Sequence, residues 1–358
     1  MPEDSTAEIA TTCAIDHETW ENVLPPGISE EDGLRVHRFL VGPRDQRRYD
    51  ELHAKVASEG ASYATELEWL SNSVWSRDLQ VFLEDKGPSY DLVVFSPYLF
   101  GTTLWGAQVD PERSVLLPCL HDEGYARLVT VGRVFEAVRG CIFNSEAEQR
   151  FARRLYGAAD GHVVGIGFDR PSDAPTVGFA EPRGLGRYLL YAGRIEEAKH
   201  VDVAVEYASR YAAERVEAPQ LVLIGSGSYC IPNWAVETVQ RIGFLSDEER
   251  RAAYAEALAL VNPSHLESLS IVLLEAWLEG TPALVASGSD VLREHLERSN
   301  GGFSFRSYPE FRDAVDQLLQ DAELGKRLGA AGRSYVVGRY GWPSVRERLS
   351  HALERLAE

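Results

Sequence analysis

Lysine is almost absent from this chain. Of its 36 basic residues only Lys55, Lys86, Lys199 and Lys326 are lysines, and 55 acidic residues leave a formal net charge of −19. No long basic stretch offsets that excess, which argues against nucleic acid as a partner. Cysteine is scarce too: Cys13, Cys119, Cys141 and Cys230 lie far apart, with no Cys-x-x-Cys and no His at ligand spacing. A disulfide framework and a zinc site are therefore not expected, and no metal is assigned. Long apolar runs are missing as well. The most apolar stretch, residues 92–105, contains Ser96, Pro97, Gly101, Thr102 and Thr103 and is shorter than the ~20 residues that span a bilayer. The opening Met1-Pro2-Glu3-Asp4-Ser5-Thr6 is acidic and polar, unlike a signal peptide. These absences describe a soluble, cytoplasmic protein, with peripheral contact at a membrane face left open.

What is present is alternation. A length of 358 residues exceeds what one core normally serves, so two domains are expected. Apolar runs at residues 10–14, 34–40, 91–95, 114–120, 141–144 and 163–166 read as strands, and helical patterns fall near 44–57, 61–85 and 145–156. The alternation resumes at Tyr188. Between the halves, residues 170–186 are rich in Pro and Gly and read as a linker. The expected division is 1–170, a linker at 171–187, 188–336, and a terminal segment at 337–358. Two such α/β domains, each Rossmann-like and doubly wound, would face each other across a cleft lined by strand ends.

The most informative segment runs from Glu267 to Glu275. An apolar run at 258–261 ends in Asn262-Pro263, and Gly280 and Pro282 close the helix that follows. Two carboxylates thus bracket a helix start that carries no acidic side chain. The backbone N–H groups around Leu269, Ser270 and Ile271 suit a diphosphate, because a helix N-terminus presents unpaired donors and a partial positive charge. Glu267 would receive sugar hydroxyls and Glu275 ribose hydroxyls. The plainer reading is an amphipathic helix with two solvated acids. Upstream, the run at 188–192 delivers Gly193 and Arg194 to a strand end, with Lys199 five residues on. Arg194 and Lys199 would converge on one anion, or would merely pair with Glu196 and Glu197.

Together GRIEEAK (193–199), LVLIGSGS (221–228), IGFLSDEE (242–249) and VNPSHLESLSIVLLEAW (261–277) resemble the retaining glycosyltransferases of family 4, glycosyl transferases group 1, with the GT-B fold. The resemblance implies that Glu267 contacts the donor sugar, Glu275 the ribose, and Arg194 and Lys199 the diphosphate. It also implies that backbone near Gly193 and Leu245 helps hold the nucleotide. His121, after the run at 114–120, is similar to a family histidine that touches the donor sugar near the reacting carbon. The expected substrate is a nucleoside-diphosphate sugar, UDP- or GDP-linked, with no separate cofactor. The acceptor would be a glycan, lipid or small-molecule hydroxyl. The terminal helix at 342–356 is expected to pack back toward the N-terminal domain.

Two departures stand out. Family members carry Glu-Gly-Phe-Gly where this chain has Glu267-Ser268-Leu269-Ser270, which bears on how the sugar is gripped. They also begin with a strand and a Gly-rich loop, whereas here the first glycine is Gly27 and residues 7–14 read as the second strand. The N-terminal domain is thus expected to be incomplete, which leaves room for a protein partner or oligomer over the gap. The alternatives are a nucleotide-sugar epimerase and a non-catalytic or partner-dependent sugar-nucleotide-binding protein. A Rossmann dehydrogenase is disfavoured, because Gly225-Ser226-Gly227-Ser228 lacks the third glycine at its spacing.

Overall fold

A computed structural model describes residues 5–58, 60–157, 161–169 and 177–358. The chain forms two compact units, Met1–Gly165 with Arg346–Glu358, and Ile166–Val345. Of the residues read as a linker, 170–176 lie outside those described. The rest, from 177 on, includes a 3-10 turn at Glu181–Arg183 that ends on a left-handed Gly184.

In the first unit, β1 (Glu8–Thr12), β2 (Gly27–Glu31) and β3 (Leu34–Phe39) form a sheet of order β1-β3-β2. Strand β1 runs parallel to β3, and β2 is antiparallel to it. The β2–β3 hairpin turns on Asp32 and Gly33, both at positive φ (51° and 79°), the geometry a two-residue hairpin requires. The pattern at 61–85 resolves into two helices rather than one. After α1 (Gln46–Ala57) come α2 (Tyr63–Ser71) and α3 (Arg77–Lys86). Ser76 restarts the helix by accepting the Leu79 N–H at 3.3 Å, an N-cap that competes with continuation.

The unit continues through β4 (Val93–Phe95), α4 (Gly101–Gly106), β5 (Ser114–Leu116), α5 (Val129–Ala137), β6 (Gly140–Phe143), α6 (Glu146–Tyr156) and β7 (Gly161–Val163). Strands β4-β5-β6-β7 make a second, all-parallel sheet. The strand expected at 114–120 stops at Leu116. Pro118 cannot donate to a ladder, its carbonyl instead takes the Tyr98 N–H at 2.9 Å, and Cys119 turns to φ 53°. The strand expected at 163–166 lies two residues earlier.

The second unit contains β8 (Tyr188–Ala192), α7 (Val201–Glu214), β9 (Gln220–Ile224), β10 (Val239–Gly243), α8 (Asp247–Glu256), β11 (Ala259–Asn262), α9 (Ile271–Leu278), β12 (Ala283–Ala286), α10 (Asp290–Ser299), β13 (Gly302–Phe305), α11 (Tyr308–Gln320) and α12 (Ala322–Tyr340). Its six strands are all parallel, in the order β10-β9-β8-β11-β12-β13. One face packs under α8, α9 and α12 around Trp277, Tyr254 and Tyr340. The other packs under α7 and α11 around Tyr211 and Phe311. Burial on both faces explains why the four inner strands, β8, β9, β11 and β12, are nearly continuous apolar runs. Counted along the chain, the order is 3-2-1-4-5-6. The winding therefore reverses between β8 and β11, which is where such sheets bind ligands. The last helix, α13 (Trp342–Ala357), starts in the second unit, and its residues from Arg346 on belong to the first. No helix among the described residues is long and apolar enough to cross a membrane.

Candidate active site

The loops after β8 and β11 meet at the reversal point. Gly193 follows β8 at φ 126°, and a Cβ there would lie 4.0 Å from Val272 Cγ1 in the first turn of α9. The β8 loop is held from behind by Gly225 and Gly227. A Cβ on Gly225 would stand 2.0 Å from the Gly193 carbonyl oxygen, and one on Gly227 would stand 2.4 Å from that of Ile195. The Ile195 N–H donates to Ser226 O at 2.7 Å. Glycine is required at both positions, for close approach and for positive φ.

Lys199 reaches from this loop to the next. Its Nζ donates to Leu266 O at 2.7 Å and to Glu267 Oε1 at 3.0 Å. Its side chain is 18% exposed and that of Glu267 12%. The structure thus pairs Lys199 with Glu267, and not with Glu196 or Glu197. An ammonium carries three protons, so one is left without a partner among the described residues. Arg194 is half exposed, with Nη1 3.6 Å from Glu196 Oε2, the plainer reading for that residue. Its carbonyl accepts the Tyr191 hydroxyl at 2.5 Å.

Helix α9 starts on an unusual cap. Ser270 takes a left-handed conformation (φ 65°, ψ 71°) and makes no side-chain cap bond to the helix. Its hydroxyl instead accepts Asn262 Nδ2 at 2.9 Å from the end of β11. Leu269 is buried, with its carbonyl 2.8 Å from His295 Nε2. Ile271 is 44% exposed. Among the described residues nothing accepts the N–H groups of Ile271 and Val272, and the first turn holds no acidic residue. Donors and dipole are left for an outside anion.

Glu275, one turn further on, is engaged by residues the sequence reading did not single out. Tyr254 donates its hydroxyl to Oε2 at 3.0 Å, and Arg250 Nη2 lies 3.2 Å from Oε1. Burial pushes the Glu275 carboxyl up from its ordinary value, against the pull of Arg250. Leu245, between β10 and α8, is buried, and Phe244 before it is 85% exposed. Beside the Lys199–Glu267 pair, the rings of His200 and His265 lie 4.4 Å apart. Burial and then the charge of His200 push His265 down. The sequence cues for these partners were weak: a His directly after Lys199, and an Arg and a Tyr four positions apart in the run at 247–256.

His121 lies in the first unit, beyond β5. Its Nδ1 is 3.5 Å from Glu123 Oε1, which also accepts the Tyr98 hydroxyl at 2.6 Å. The preceding Leu120 N–H donates at 2.5 Å to Glu148, and the Asn144 N–H donates to the same carboxyl at 2.6 Å. Ser145 caps α6 by accepting the Glu148 N–H at 3.2 Å. The loop carrying His121 is thus anchored to a fully buried acid. Among the described residues no group of three His, Cys, Asp or Glu is placed to hold a metal ion.

Residues 181–335 match the family model for glycosyl transferases group 1. The chain carries a glycosyl transferases group 1 domain. A D-inositol 3-phosphate glycosyltransferase of Kineococcus radiotolerans is 27% identical over 93% of this chain and 84% of its own length. A GDP-mannose-dependent alpha-(1-6)-phosphatidylinositol monomannoside mannosyltransferase of Mycobacterium tuberculosis is 26% identical over 65% of this chain and 67% of its own. Among solved structures, sucrose-phosphate synthase from Thermosynechococcus elongatus superposes with a TM-score of 0.70 at 17% identity, covering 93% of this chain and 86% of that one. The fold is of the GT-B type, and the chain is a glycosyltransferase, one of whose relatives is named as GDP-mannose-dependent.

Proposed function

We propose that the chain transfers a hexose, with retention and without a metal, from a UDP- or GDP-linked donor to a hydroxyl of an inositol phosphate, free or lipid-borne. The observation that carries this reading is the meeting of Lys199, Glu267 and the open start of α9 at the reversal point of the second sheet. In this reading the diphosphate sits on the Ile271 and Val272 N–H groups, with Lys199 and Arg194 offsetting the charge that develops on it. Glu267 accepts sugar hydroxyls, and Glu275, already shared by Tyr254 and Arg250, accepts ribose hydroxyls with its remaining lone pairs. Backbone at Gly193 and Leu245 borders the nucleotide. The anomeric carbon–oxygen bond to the phosphate breaks, the acceptor oxygen bonds to that carbon, and its proton passes to the departing phosphate oxygen. The acceptor assignment rests on the two relatives, whose names share an inositol phosphate.

The deciding experiment is a thermal-shift screen of uridine, guanosine and adenosine diphosphates and their sugars, followed by transfer assays with inositol phosphates. One nucleotide class should raise the melting temperature of the wild type, by RT ln(1 + [L]/Kd) in free energy. Lys199→Ala should abolish that shift while remaining folded. A wild-type protein that none of the nucleotides stabilises would overturn the reading. Donor turnover without any acceptor would replace transfer by epimerisation.

A further inference from the structure

The first unit holds a pocket made entirely by residues between Ser71 and Val109, none of which has a part in donor binding or transfer. Its volume is about 620 Å³, within the ~300–1,000 Å³ of small-molecule sites. Two indoles line it, those of Trp75 and Trp105, together with Gln80, Gln108 and Glu84. Both tryptophans are only partly buried. Their indole N–H groups reach solvent and meet no partner among the described residues.

The walls are fixed by backbone packing. The helix break that Ser76 enforces leaves Trp75 in the loop between α2 and α3. There its carbonyl accepts the Gly42 N–H at 2.8 Å, and a Cβ on Gly42 would stand 3.3 Å from its Cε3, so the chain at Gly42 braces the ring. A Cβ on Gly101, at the start of α4, would stand 2.6 Å from the Val74 carbonyl oxygen. The loop and α4 therefore meet backbone to backbone. Trp105, on α4, packs against the core of the unit. Gln80 and Glu84 lie one turn apart on α3, and the Gln80 amide donates to Glu84 Oε1 at 3.0 Å. The Gln108 amide donates to Leu104 O. The side-chain carbonyl oxygens of both glutamines keep their acceptor capacity, with no partner among the described residues.

This lining selects among ligands. No Lys or Arg takes part in it, so a phosphate or a nucleotide would find no counter-charge. A wholly apolar ligand would desolvate the amides without replacing their hydrogen bonds. An ammonium group suits indole faces and a carboxylate, but it offers the two indole N–H groups no acceptor, and the Glu84 carboxylate is exposed and already holds Gln80. A pyranose meets every demand. Its C–H faces cover indole, and its hydroxyls accept from the indole N–H groups while donating to the glutamine carbonyls. We propose that this pocket binds a neutral pyranose, a saccharide unit other than the donor's. The assignment is independent of the transfer reading.

The test uses the full chain labelled with fluorotryptophan and titrated with methyl glucosides, galactosides and mannosides and their disaccharides, with choline as the amine probe. One or more saccharides should shift the fluorine resonances of Trp75 and Trp105, assigned through Trp75→Phe and Trp105→Phe, and leave those of Trp234 and Trp277 in place. Gln80→Ala, on a helix surface, should stay folded and weaken that binding about fivefold, the loss of one hydrogen bond. Trp75→Ala should abolish it. In both variants any nucleotide-induced rise in melting temperature should match the wild type, and failure of the nucleotide screen would leave these outcomes intact. Shifts at neither tryptophan with any saccharide, shifts with choline alone, undiminished binding by Gln80→Ala and Trp75→Ala, or displacement of the saccharide by UDP or GDP would each overturn the proposal.

Discussion

At the scale of single residues, two groups carry unusual costs. Glu148 is fully buried, and burial pushes its carboxyl from 4.5 up to about 8, opposed by the N–H groups of Asn144, Leu120 and Ser145. A folded value above the unfolded one means the native state binds the proton more tightly. The associated stability is complete below about 4.5, declines as pH rises, and is gone above about 8. Urea midpoints of the wild type should fall across that window, by at most about 1.4 kcal/mol per pH unit, and Glu148→Gln should flatten the slope. Equal slopes in the two proteins would remove Glu148 as the cause. Ser270 pays about 1–2 kcal/mol for its left-handed backbone, and its hydroxyl satisfies the buried Asn262 amide. In Ser270→Gly the relief of strain opposes the orphaned amide, so stability should change little. Asn262→Ala also strands the Ser264 N–H, which donates to Asn262 Oδ1 at 3.0 Å. It should cost about 2 kcal/mol, measured by the same urea unfolding.

At the scale of elements, local signals and topology divide what the sequence reveals. The α6 cap at Ser145, the strand at 188–192 and the helix between Asn262 and Gly280 were readable, because cap residues, apolar runs and helix stops act over a few positions. The split of α2 from α3 was missed, since Ser76 is one hydroxyl within a pattern that stays helical on both sides. β2 was missed too, although Asp32-Gly33 is a hairpin signal, because its five residues expose nearly all their side chains. Within the site, Lys199 and Glu267 are 68 positions apart, and only the reversal of winding brings them together. Tyr254 and Arg250 reach Glu275 through packing of α8 on α9, which no single-segment pattern encodes. The same logic gives Gly225 an effect far from its own strand. Gly225→Ala would drive a Cβ into the Gly193 carbonyl, so the β8 loop must move. The variant should lose nucleotide-induced stabilisation while retaining the far-ultraviolet circular dichroism of the wild type. An unchanged nucleotide response would detach the loop's position from ligand binding.

At the scale of the whole molecule, the end of the chain returns to the unit that begins it. Residues Arg346–Glu358 belong to the unit that begins the chain. There Arg348 donates to the Val164 carbonyl at 2.8 Å, Arg139 donates to the carbonyl of Leu356, and Ala352 is buried. Removing residues 346–358 should therefore destabilise the first unit and spare the second. In a two-transition melt the transition assigned to the first unit by hydrogen exchange should shift down, and the other should stay. A shift confined to the second unit would contradict this assignment.

The carboxy-terminal helix also sets an order of assembly. A ribosome releases the amino-terminal half early, yet that half lacks its final packing surface until the last residues have been made. The strands of the first unit are all made by Val163, but the second unit is complete at Val345, before residues 346–358 reach the first. A translation product that stopped within residues 346–358 would therefore present a finished second lobe beside a first lobe without its closing helical segment.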